Sequence, residues 1–126
     1  MEPKEFIDEL NKVQDLLSQE KYSEAITLLE NLKGIERQAN FNYNLTHKLY
    51  QLDSNALSLY NQQKILNLIS EISQKQNVIT FAELQKKLKE VENIALDETI
   101  LKREIEILIL RNLVSCSIEG NRLFFS

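Results

Sequence analysis

Apolar residues recur at steps of three and four along most of this chain, and at steps of two only near its C-terminal end. The first spacing gathers side chains on one helix face and the second on one strand face. Phe6, Leu10, Val13 and Leu17 predict a helix from Pro3 to Gln19, with Pro3 suited to the first turn. Ser23 is the expected N-cap of a second helix, which carries Ala25, Leu28, Leu29 and Leu32 and stops at Gly34. The two make a helical hairpin. The stretch from Gly34 to Asn44 loses the period and reads as an irregular connection carrying Phe41 and Tyr43. Leu45, Leu49 and Leu52 then mark a short third helix, and Asp53 or Ser54 is the expected cap of a fourth that runs to about Gln74. Its stripe is Ile65, Leu68, Ile69 and Ile72, whereas Leu57, Leu59 and Tyr60 fall on other faces. After the β-prone Val78-Ile79, Thr80 and Glu83 have capping-box spacing ahead of a helix with Phe81, Leu84, Leu88 and Val91 on one side. Asp97 caps the next, 98 to about 111, with Leu101, Ile105, Leu108 and Ile109 facing the core. Val114, Cys116 and Ile118 alternate with serines, and Glu119-Gly120-Asn121 turns the chain into Arg122 to Phe125, a two-stranded hairpin.

Composition agrees with a mainly helical chain. Only two Gly and one Pro leave little turn material, too little for a sandwich or barrel, and 43% apolar residues in 126 suffice for a real core. That length suits one domain, or one small lobe fused to another: a helical repeat-like lobe over 1–53 and a second lobe over 54–126, stacked as one continuous body. The net charge of -4 has the wrong sign for a surface that lives on phosphate backbones. The single cysteine, Cys116, has no internal disulfide partner, and no signal segment or membrane span is visible. The expectation is an intracellular, cytoplasmic protein away from membranes.

The order helix, short strand, helix, helix, strand, turn, strand is that of a winged helix. The junction Glu20-Lys21-Tyr22-Ser23-Glu24-Ala25-Ile26 resembles the boundary between helices of tetratricopeptide-type repeats, although no second copy follows at a 34-residue period. Further along, Ile79-Thr80-Phe81 with Leu84 and Leu88, Glu104-Ile105 with Leu108-Ile109, Leu113-Val114, and Ser117 to Asn121 ending in Phe124-Phe125 resemble the winged-helix half of PCI domains. These occur in scaffold subunits of the proteasome lid, the signalosome and a translation-initiation-factor complex. The C-terminal winged helix of cullins is similar too. The resemblance implies N-terminal helical hairpins packed on a C-terminal winged helix with a small β-ribbon. It also implies a non-enzymatic scaffold module, a subunit of a multiprotein assembly working through protein-protein interaction.

Candidate residues follow from the wheel and the strand alternation. Leu110 falls on the outward side with Arg103 and Glu106, where an exposed leucine fits a protein contact better than phosphate. If Leu123 and Phe125 point inward, Phe124 turns to the other face, and with Arg122 and the ribbon edge it offers a contact for another protein, by packing or by strand addition. The alternative is a nucleic-acid-binding regulator using Lys86, Lys87, Lys89, Lys102, Arg103 and Arg122. Glu104 reads as a boundary carboxylate reaching solvent or pairing with a nearby Lys or Arg, with a buried, partner-facing charge as the alternative, His47 as a partly exposed helical residue and Cys116 as a small apolar strand residue. One Cys and one His make no zinc site, and the two glycines make no phosphate loop. No catalytic constellation, cofactor, metal or small-molecule substrate is expected. The expected partners are other protein subunits or the chain itself.

Overall fold

In the computed structural model, which describes all 126 residues, α1 (Pro3–Ser18) opens with Pro3 in its first turn and buries Phe6, Leu10 and Val13. α2 (Tyr22–Gln38) returns beside it as a hairpin and buries Ala25, Leu29 and Leu32. Two expected boundaries of α2 move. Ser23 is not the cap: the Ala25 N–H already donates to the Lys21 carbonyl at 3.1 Å, so the helix begins before Ser23. Gly34 does not end the helix either. A glycine stops a helix by turning left-handed, and Gly34 keeps an ordinary helical φ while Ile35 behind it packs on the core.

The largest departure is α3 (Tyr43–Ser73), a single helix of 31 residues where the pattern predicts two. Asn42 begins it, its Oδ1 accepting the Leu45 N–H at 3.1 Å. Asp53, the expected cap of a fourth helix, lies inside α3 with Oδ2 accepting from Lys33 Nζ at 3.2 Å. Lys33 also meets Glu30 at 2.7 Å, and the hydrogen bond to Glu30, followed by the Asp53 carboxylate, holds its ammonium pKa above the ordinary lysine value.

The chain forms two compact units, Met1–Tyr60 and Asn61–Ser126, and the division between them falls inside α3. The first has a core of Phe6, Leu10, Val13, Ala25, Leu29, Leu32, Leu49, Leu52 and Ala56, with the Phe41 ring tilted 4.5 Å from that of Phe6.

The second unit joins the end of α3 to β1 (Val78–Thr80), α4 (Phe81–Glu92), α5 (Glu98–Leu110), β2 (Cys116–Glu119) and β3 (Arg122–Phe125). The caps read from sequence are present. Thr80 Oγ1 accepts the Glu83 N–H at 3.2 Å, and Asp97 Oδ1 accepts the Ile100 N–H at 2.8 Å. Val91 does not join the buried face of α4; it is exposed, because the chain leaves the helix one turn beyond Leu88 through a left-handed Asn93. Ile94 and Leu96 then pack on the core, and Gln85 Nε2 holds the Leu96 carbonyl at 2.8 Å.

The expected two-stranded ribbon is a three-stranded antiparallel sheet of order β1-β3-β2. The Val78-Ile79 stub is drawn in because Ile79, on the face it shares with Leu123 and Ile118, becomes part of the core. Ile65, Leu68, Ile69 and Ile72 of α3 complete that core with Phe81, Leu84 and Leu88 of α4 and Leu101, Ile105 and Leu108 of α5. No helix is long and apolar enough to cross a membrane.

Candidate interaction surface

The sheet turns two kinds of residue in opposite directions. Ile79, Leu123 and Ile118 form one cross-strand row facing the core, and Phe125 packs there with its partner Cys116. The alternation leaves Phe124 on the other face, between Val78 and Ser117, with Arg122 in the next row between Thr80 and Glu119. Phe124 is half-buried and lies outside the core cluster. Its strand is the middle one, covered on one side by β1, so the ribbon edge open to strand addition is that of β2, and β1 offers the sheet's other edge.

On α5 the inward stripe is Leu101, Ile105 and Leu108, with Glu104. Outside that stripe lie Ile100, Arg103, Ile107 and Leu110 at steps of three, four and three, with Arg103 and Leu110 opposite it and the two isoleucines on its flank. Leu110 is 81% exposed and the Arg103 side chain 66%, while Ile100 and Ile107 are half-buried and not packed on the core. Asn112 takes a left-handed φ of 58° just after the helix, and the Leu113 N–H returns to the Leu108 carbonyl at 3.0 Å. That turn leaves Leu113 exposed as well. Below it lies a cleft of about 480 Å³ lined by Leu66, Ile69, Ser70, Leu113, Val114 and Phe125.

Glu104 departs from one part of its sequence reading and keeps the pairing with a nearby arginine. It is 3% exposed rather than a carboxylate reaching solvent. Gln62 Nε2 donates to its Oε2 at 2.9 Å, Arg111 Nη1 donates to Gln62 Oε1 at 2.7 Å, and Arg103 Nη2 lies 3.8 Å from its Oε1. The chain of donors from Arg111 through Gln62 satisfies a carboxylate that burial would otherwise penalise. Neither Gln62 nor Arg111 stands out in sequence, because the residues that meet are 42 and 49 positions apart.

The six basic residues of the nucleic-acid alternative are spread over three elements: Lys86, Lys87 and Lys89 on α4, Lys102 and Arg103 on α5, and Arg122 on β3. Several are engaged at home. Lys102 Nζ donates to the Gly120 carbonyl at 3.2 Å and sits 5.6 Å from the centre of the Phe81 ring, and Lys86 approaches Glu90 at 4.0 Å.

The remaining chemically capable side chains are placed singly. His47 is exposed and stacks on Tyr43 with ring centres 5.8 Å apart. Cys116 is half-buried, and burial pushes its thiol pKa up, away from the reactive thiolate. No three His, Cys, Asp or Glu side chains gather as a metal site would need. A scan of protein-family models and searches of curated proteins and of solved structures find no match to this chain.

Proposed function

We propose that this protein is a non-enzymatic interaction module, a small PCI-like scaffold subunit of a cytoplasmic protein assembly, whose second unit is a winged helix. The observation that carries the reading is Leu110: a leucine 81% in solvent, on a regular helix, beside two isoleucines that the chain's own core does not use. An isolated exposed leucine is ordinary, but a row of apolar residues at helical spacing on the side away from the core marks a contact surface. Exposed Leu113 beside the cleft and half-buried Phe124 on the sheet widen the apolar surface this unit offers.

The test compares the wild-type chain with Leu110→Glu and Phe124→Asp. Circular dichroism should show all three folded, since neither residue belongs to the core. Association, followed by light scattering for copies of the chain and by affinity capture from native lysate for other proteins, should be lost in at least one variant. If both variants associate like the wild type by both measures, the surface is misassigned and the reading fails.

A further inference from the structure

The outward face of α5 is complementary to itself, and we infer that it pairs with α5 of a second copy of this chain, the two helices running antiparallel about a two-fold axis. This rests on the reading of α5 as a protein contact and names the partner. The steps of three, four and three from Ile100 through Arg103 and Ile107 to Leu110 are those of the seam between two paired helices. With the axis passing near Ile105, antiparallel pairing sets Ile100 against the partner copy's Leu110, and the reverse, so each exposed leucine meets an isoleucine that its own core leaves aside. The same register sets Arg103 opposite the partner copy's Ile107, one position from its Glu106, on each side of the axis. Arg103 and Glu106 are both exposed and of opposite sign, and the symmetry makes two ion pairs from one pair of residues.

A parallel arrangement would set Arg103 against Arg103 and Glu106 against Glu106. The charges therefore select the antiparallel one. A two-fold contact of this kind closes on itself, so it yields dimers and no filaments.

The size of the contact sets its strength. A helix of 13 residues is about 20 Å long. One such seam is smaller than a standard stable interface, so the dimer is weak and forms reversibly at concentrations of roughly 0.1–1 mM.

Sedimentation velocity over a dilution series up to about 1 mM tests this with a charge cycle. Glu106→Arg and Arg103→Glu should each weaken dimerisation about tenfold or more, because each brings like charges side by side twice. The double variant should return to within about threefold of the wild type, because the pairs re-form with their signs exchanged. Arg103→Glu also places a second carboxylate near Glu104, so its fold is checked by circular dichroism; Glu106→Arg disturbs no buried group and stands by itself. Leu110→Glu should leave only monomer. A wild-type chain that is monomeric throughout, single reversals without effect, or a double variant no tighter than the singles would each overturn the pairing. A monomeric wild type whose capture of another protein is still lost with Leu110→Glu overturns only the second copy as partner and leaves the interaction module standing.

Discussion

Glu104 occupies a position that an apolar residue would normally take, in the inward stripe between Leu101, Ile105 and Leu108. A buried carboxylate holds such a place only when donors reach it, and Gln62 with Arg111 behind it supplies them. Removing the acceptor should then cost more than the side chain's few atoms suggest, since the hydrogen bond from Nε2 of Gln62, a side chain only 6% exposed, is lost. Glu104→Ala is expected to lower stability in urea unfolding by about 2–3 kcal/mol, combining the lost hydrogen bond with the void. Glu104→Gln keeps the shape and an acceptor for Gln62 and should cost about 1 kcal/mol. Equal losses in the two variants would mean that the bond to Gln62 contributes nothing. Backbone conformation shows a related economy at single residues. With one glycine inside α2 and the other, Gly120, at φ 60° in the β2–β3 turn, the left-handed positions after α1, α4 and α5 fall to Glu20, Asn93 and Asn112. Asparagine tolerates that region better than most residues, which is how a chain so poor in glycine still ends two of those three helices sharply.

At the scale of elements, α3 shows where periodicity misleads. Leu49, Leu52 and Ala56 are buried in the first unit, and Ile65, Leu68, Ile69 and Ile72 in the second. Continued at helical spacing, the first stripe does not run into the second; the pattern changes phase between Ala56 and Ile65, and an amphipathic reading takes that change for a break. Asp53-Ser54 sits near it and looks like a cap. A proline distinguishes the two descriptions. Ser54→Pro would be harmless at the first turn of a separate helix capped by Asp53. In the interior of α3 it removes a backbone hydrogen bond and should cost about 3 kcal/mol or more, with loss of helicity by circular dichroism. Ser54 is exposed, so packing does not blur the result. The caps of α4 and α5 were legible because donor and acceptor are three residues apart, at Thr80 with Glu83 and at Asp97 with Ile100. The third strand was not, because β1 is held by pairing with β3, whose residues lie at the far end of the unit. The outward row on α5 was half legible: Leu110 and Arg103 stand out on the wheel, while Ile100 and Ile107 do not, because this helix is apolar on several faces.

Over the whole molecule, charge separates the interaction reading from its nucleic-acid alternative. Residues 1–60 carry six basic and ten acidic side chains, and residues 61–126 carry nine of each. Binding to a nucleic acid backbone draws its strength from released counterions, so it needs several cations presented together without acids among them. Here Lys102 is turned to the Gly120 carbonyl and the Phe81 ring, Arg103 lies near Glu104, Lys86 near Glu90, and Arg122 sits beside Glu119 in the sheet. A surface divided in this way releases few ions per contact, and the acidic first unit repels the same ligand. The expected result is no change in fluorescence anisotropy of a 20-base-pair duplex or of single-stranded RNA with protein up to about 100 µM in about 50 mM salt, where even non-specific binders of moderate strength register. Binding whose logarithm falls against the logarithm of salt with a slope of about -4 or steeper would mean that four or more of these cations act together, and it would move α5 from a surface for protein to one for phosphate. The two readings share Arg103, which makes its charge reversal informative in both assays. In the dimer, exchanging the signs of Arg103 and Glu106 restores association, whereas a phosphate backbone, uniformly negative, offers nothing that the exchange could satisfy.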